Sequence, residues 1–365
     1  MSETDDDPMQ DDAIVGEDGR VLLFRCERFV RDICQGDACF VCGAWPNDTQ
    51  FNDEHIVPNW ILRRYGLFNQ EITLPTGERR RYSGYKVPCC EGCNTLLGQT
   101  VETPVSKLLE GDFAAVSARL ADDKARELLF VWVCLLFLKM HLKDAKVPIH
   151  LDRRLGAERI GDYYDWADLH HIHQVARSPY TKASLMPEVI GSLQIFEIAT
   201  TESEGDYDYL DFTDAQTLMV RVGRIGVVAT LNDSTAAESG WSDRLDLITG
   251  PINEFQLREV TAMFAQANRD LIGRPLFSTF VLYRKFAMIV AQRQPLKLKP
   301  FDPAIFGETL LFAVRNLVRS GAIEVDGTRD PDAVAKAIST GYVRFLTLEG
   351  GAFRPHDHGR FKSGK

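Results

Sequence analysis

Between residues 39 and 102 the chain gathers the side chains that could do chemistry. Cys39-Phe40-Val41-Cys42 and Cys90-Glu91-Gly92-Cys93 each place two thiols with two residues between them, and Asp53-Glu54-His55-Ile56-Val57-Pro58 lies between the pairs. That spacing lets both sulfurs of a pair face one ion, and two pairs complete the tetrahedral thiolate set that selects zinc. Gly43 follows the first pair and relieves its tight turn. Cys89 adjoins Cys90 and could compete with it; Cys90 is preferred because its spacing repeats that of the first pair. The 47 residues between the halves exceed a common zinc-finger spacing, so structure must be inserted there.

His55, Glu54 and Asn94 suit a different reaction. A neutral imidazole, with an ordinary pKa of ~6.5, can take a proton from water near neutral pH. A hard ion such as Mg²⁺ or Mn²⁺ takes oxygen ligands, which the Glu54 carboxylate and the Asn94 amide provide. Together these groups could hydrolyse a phosphodiester. Adjacent residues of a strand face opposite ways, so Glu54 and His55 serve one phosphate only if the strand is bulged or the metal sits at its edge. Plainer roles stand beside these: Asn94 as a helix N-cap, His55 as a core histidine, Glu54 as the partner of an arginine.

Taken in order, Cys-x-x-Cys, Glu54-His55-x-x-Pro58 and Cys-x-x-Cys-Asn94 resemble the zinc-stabilised HNH endonucleases of the ββα-metal fold, over about residues 36–105. The resemblance implies that His55 is the general base and that Glu54 and Asn94 hold a catalytic Mg²⁺ or Mn²⁺. Glu102, eight residues beyond Asn94, would complete that shell. It also implies a structural zinc on Cys39, Cys42, Cys90 and Cys93, and DNA as the substrate. Two departures are visible. The family's middle asparagine has no clear match, and Glu54 stands where an aspartate is commoner, with Asp53 one residue further back. A lone site of this kind cuts one strand, so double-strand cleavage would call for a homo-oligomer. The alternative reading is a non-catalytic zinc module that binds nucleic acid or a protein partner.

The elements that must position these groups follow from local pattern. A strand carries His55 and stops or bends at Pro58, which cannot donate to a sheet. Glu71–Leu74 and Arg81–Val87 read as hairpin strands about the Thr76-Gly77 turn, and a helix begins at Asn94. Upstream, residues 1–19 hold eight acidic side chains and no basic one, and read as a disordered acidic tail. Setting that tail aside moves the net charge from −10 to −2. Arg63, Arg64, Arg79, Arg80, Arg81 and Lys86 all fall within the bracketed stretch, so the chain's acidity does not exclude a polyanionic substrate.

Downstream, the apolar spacing from Leu128 to Leu138 describes a buried helix over residues 122–146, with Cys134 in the core. The run is shorter than the ~20 residues that cross a bilayer, so no membrane span is expected. No basic segment followed by an apolar one opens the chain, which favours a reducing cytoplasm. His170-His171-x-His173, with Asp165 and Asp168, is a rival metal cluster in which His170 and His173 share a helix face. Strands over 189–199, 207–212, 217–222 and 225–231 precede helices over 254–271, 302–320 and 330–340, with a strand over 279–290 among them.

The expected fold class is α+β. The expected division is an acidic tail at 1–19, a nuclease domain at 20–115, and an α+β regulatory or targeting domain at 116–365. That layout resembles bacterial anti-phage defence effectors, whose C-terminal part takes an activator ligand or a partner protein.

Overall fold

The computed structural model describes residues 12–74, 77–150, 152, 154–199, 206–348, 351–355 and 360–362. Helices and strands are mixed, as α+β requires, and the chain divides into two compact units. The first comprises Met1–Leu108, Asp122–Val189 and Phe277–Ala291; the second comprises Leu109–Ala121, Ile190–Leu276 and Gln292–Lys365. The division expected at 115/116 therefore falls elsewhere, and the long apolar helix belongs with the cysteines.

In the first unit, Ala13–Val15 pairs antiparallel with Val21–Phe24, Ala13 opposite Phe24. This part of the expected tail is ordered because Ala13, Ile14 and Val15 have an apolar strand to pair with. Residues 1–11 lie outside the described residues. Glu54–His55 pairs antiparallel with Lys86–Val87, His55 opposite Lys86. Glu71–Thr73 pairs with Arg79–Arg81, and a 3₁₀ turn at Tyr82–Gly84 then breaks the expected second strand. The far end of that stretch serves the His55 strand instead of the hairpin. Glu91–Leu97 is α-helical, continues through a π-turn at Gly98–Glu102 and resumes as Thr103–Leu108.

The helix Asp123–Asp144 is the spine of this unit. Asp122 caps it, its carboxylate accepting from the Lys124 N–H. From Leu129 to Leu142 it is buried on every side, which fits a helix that is apolar all round. Lys139 and Asp144 are the charged exceptions in the buried stretch, and each has a partner: Lys139 meets carboxylates and Asp144 accepts from the Tyr85 hydroxyl. Later in the chain, Phe286–Gln292 pairs in parallel with Ser184–Leu185, and Phe277 stacks on His171 with centroids 3.6 Å apart. The strand expected over 279–290 is thus a hairpin. It reverses at Tyr283-Arg284, with φ of 52° and 53°, the left-handed pair that matches strand twist.

The second unit is built on a four-stranded antiparallel sheet whose order is Leu193–Glu197, Ile225–Thr230, Thr217–Val222, Tyr207–Phe212. The two central strands are buried on both faces. Helix Glu254–Asp270 packs on the sheet, and helices Pro303–Arg319 and Pro331–Ser339 form the layer behind. A reciprocal cap fixes the start of the first of these helices. The Asn253 side chain accepts from Gln256 N at 3.0 Å and the Gln256 side chain accepts from Asn253 N at 2.9 Å. Such a cap stabilises by ~1 kcal/mol.

Candidate metal centre and active site

Cys39, Cys42, Cys90 and Cys93 come together, all four sulfurs lying within 4.8 Å of one another. The Cys42 and Cys90 sulfurs are 3.7 Å apart, against the ~3.8 Å that a tetrahedron of 2.3 Å Zn–S bonds demands. The set can therefore hold a metal ion such as zinc. Cys89 stands just outside, its sulfur 4.0 Å from that of Cys39, so the repeated spacing picked the right neighbour. Hydrogen bonds from Cys42, Cys89 and Cys93 drive the Cys39 thiol far below its ordinary pKa, while Cys39 raises Cys93 and pushes Cys42 up to about 12. Four thiolates held this close need a cation to balance them.

The first cysteine pair is gripped from behind. Gly43 has φ +78°, and a β-carbon there would lie 2.6 Å from the Phe24 ring, so no other residue fits. His173, fully buried, shares a 2.8 Å hydrogen bond with the Phe40 carbonyl, and Arg177 Nε donates to the Val41 carbonyl at 2.9 Å. The Arg177 guanidinium lies 4.4 Å from the Phe24 ring centroid, and the thiols of Cys42, Cys93 and Cys39 act on it electrostatically. His170 Nε2 lies 2.8 Å from the Phe24 carbonyl. His170 and His173 therefore brace backbone instead of forming a metal cluster, and the rival site is not built.

The second pair holds the strand that carries His55. The Cys89 carbonyl accepts from Asn52 N at 3.2 Å and from Asp53 N at 3.3 Å, and Glu91 N donates to the Gln50 carbonyl at 2.9 Å. Asn94 donates its amide N–H groups to Asn52 Oδ1 at 2.8 Å and to the Asp53 carbonyl at 3.1 Å. Its Oδ1 is left uncommitted. Asn94 is not the N-cap, since the helix starts from Cys90. Asp53, with φ +48°, turns the chain into the strand and keeps its side chain exposed.

Glu54 and His55 face opposite ways, as a strand dictates. Glu54 is 5 % exposed and points inward, where its Oε1 meets Lys139 Nζ at 2.8 Å. Glu102 joins the same ammonium at 3.2 Å, placed there by the π-turn. Lys139 sends its third proton to the His55 carbonyl at 2.7 Å, so all three of its donors are used. The two carboxylates expected around a hard cation thus share a lysine instead. Burial, with the Glu54 charge adding to it, raises Glu102 to about 8 despite Lys139. Burial thus favours the neutral form of the Glu102 carboxyl.

His55 is half-buried beside Phe68, whose ring it meets edge-on at 6.3 Å. Burial, then the charge of Lys86 across the strand pair, hold its pKa below the usual value, with Glu54 and a hydrogen bond to the Ser83 backbone pulling the other way. A cationic surface lies close by. Lys143 is depressed by burial and then by Arg80 and Lys146, with Asp53 opposing them, so these charges share one neighbourhood. Arg79 also pairs with Glu71 across the hairpin, and Arg80 with Glu78 on its own arm.

Sequence reasoning missed Lys139 and Arg177. Each is a lone cation in an apolar or polar stretch remote from the cysteines, and only a charge at a core-facing helix position hinted at Lys139. Comparison with protein-family models, with curated proteins and with solved structures finds no match to this chain.

Proposed function

We propose that this chain is a metal-dependent nuclease of the HNH type that hydrolyses phosphodiester bonds in DNA. The observation that carries the reading is the clamp on His55. A four-sulfur cluster fixes the Cys89 carbonyl and Asn94, these fix residues 52 and 53, and Lys139 fixes the carbonyl of His55 itself. A histidine held by this many backbone contacts, yet half-open to solvent, is a positioned base and not a packed core residue. The cations Lys86, Arg80 and Lys143 nearby suit a polyanionic substrate.

In this reading His55 takes the proton of the attacking water. The hard cation, Mg²⁺ or Mn²⁺, supplies charge stabilisation at the phosphate; the oxygen donors left to hold it are Asn94 Oδ1 and the exposed Asp53 carboxylate. The zinc is a staple. The second unit is then the sensing or partner-binding part of a bacterial anti-phage defence effector.

The test is nicking of supercoiled plasmid DNA by the zinc-loaded full chain with Mn²⁺ or Mg²⁺. His55→Ala should lower the rate by ~10²–10⁴-fold, the usual worth of a general base, while its zinc content stays that of the wild type. Equal nicking by the two proteins would refute the assignment.

A further inference from the structure

The second unit contains a cavity of about 240 Å³ whose lining has no place in the chemistry above. Three rings form one side: Trp241 and Phe301 meet edge-on at 6.0 Å, and Phe301 and Phe306 lie 5.6 Å apart. Trp241 is fixed in place by a 2.8 Å hydrogen bond from its Nε1 to the Met263 carbonyl. Two arginines and one carboxylate complete the wall: Arg244, Arg344 and Glu259.

The charges do not balance locally. Glu259 is buried, and its Oε2 already accepts the backbone N–H groups of Phe345 and Leu346. Among the described residues no carboxylate lies within ion-pair distance of Arg244 or Arg344. Arg344 spends Nη1 on the carbonyls of Gly341 and Val343 and lays its guanidinium 5.0 Å from the Phe306 ring, which leaves Nε and Nη2 uncommitted. Burial depresses Arg344, the Glu259 carboxylate opposes that, and the Arg244 charge adds to it, so two guanidinium groups face one carboxylate here. Glu259 offsets one of the two guanidinium charges, and the free N–H groups of the half-buried Arg344 beside the aromatic wall are left to meet an incoming anion.

We infer that this cavity binds a nucleoside monophosphate, its base among Trp241, Phe301 and Phe306 and its phosphate on Arg244 and Arg344. A phosphate carries a charge of about −1.5 to −2 at neutral pH, which matches two arginines better than a carboxylate would. Guanidinium groups suit it further through paired N–H donors. The cavity holds the volume of roughly eight waters at ~30 Å³ each, enough for a ring and little more. Arg344 and Thr347 also line an adjoining cleft of about 790 Å³, walled by Arg354, Arg360, Glu324 and Asp326, which leaves room for the sugar. The inference stands apart from the nuclease reading, because every residue in it belongs to the second unit.

The experiment is calorimetric titration of the full chain with the four nucleoside 5′-monophosphates, the matching nucleosides and inorganic phosphate. At least one monophosphate should bind, with its nucleoside and inorganic phosphate each at least tenfold weaker. Arg244→Gln and Arg344→Gln should each weaken that binding at least tenfold while zinc content stays unchanged; Arg244 is exposed, so for its variant the melting temperature should be unchanged as well. Failure of all four monophosphates to bind at millimolar concentration overturns the proposal. So does inorganic phosphate binding as tightly as the nucleotide, or wild-type affinity in both variants.

Discussion

Lys139 donates to the His55 carbonyl at 2.7 Å while it pairs with the adjacent Glu54 carboxylate at 2.8 Å. One side chain of the buried helix thereby fixes both the backbone and the inward face of the strand whose outward face presents the imidazole. Position and stability are coupled at this point.

Lys139→Met should therefore strand the Glu54 carboxylate in the core and cost ~3–5 kcal/mol, as breaking a buried pair does. Adding Glu54→Gln should recover part of that loss, because the uncompensated charge goes with it. Urea unfolding of the three proteins checks both statements. A single variant as stable as the wild type would show that the ammonium is not the clamp described.

Glu102 gives the pH dependence. Its folded pKa of about 8 stands above the ordinary 4.5, so the unfolded chain gives up this proton first as the pH rises. Between pH 4.5 and 8 the unfolded state binds fewer protons than the folded one, and this group's stabilisation falls across that window. Below it the contribution is complete; above it no further loss occurs. Glu102→Gln keeps the neutral hydrogen-bonding shape, so the variant should gain on the wild type from pH 5 to pH 8. Melting temperatures that keep a constant gap over that range would contradict the raised pKa.

Metal content separates the five neighbouring thiols. Purified chain should carry one zinc; Cys90→Ser should lose it, and Cys89→Ser should keep it, since only Cys90 completes the set within 4.8 Å. Elemental analysis reads both. Zinc retained by Cys90→Ser and lost by Cys89→Ser would exchange their roles.

Arg177 supports the same centre through the Val41 carbonyl and its charge. Arg177→Met should weaken zinc binding by ~10–100-fold, the scale found for groups that orient metal ligands. Competition with a chelator measures it, and an unchanged affinity would reduce Arg177 to packing against Phe24.

The cysteine set was legible because metal geometry leaves a spacing in the sequence, and Cys39, Cys42, Cys90 and Cys93 do converge. The strands over 207–212, 217–222 and 225–230 and the helices near 254–270 and 303–319 were legible from their periods. What the sequence hid is long-range. Nothing near Glu54 announces that its partner is Lys139, 85 residues away, and a carboxylate reads alike whether it meets a metal or an ammonium. The turn at Tyr283-Arg284 escaped for a related reason: it adopts left-handed backbone without the glycine or asparagine that signals one.

The first unit takes Phe277–Ala291 from far along the chain, strand-paired to Ser184–Leu185. A ribosome must therefore pass residue 291 before that unit is finished. Prematurely terminated products would carry every cysteine and His55 but an incomplete body around them.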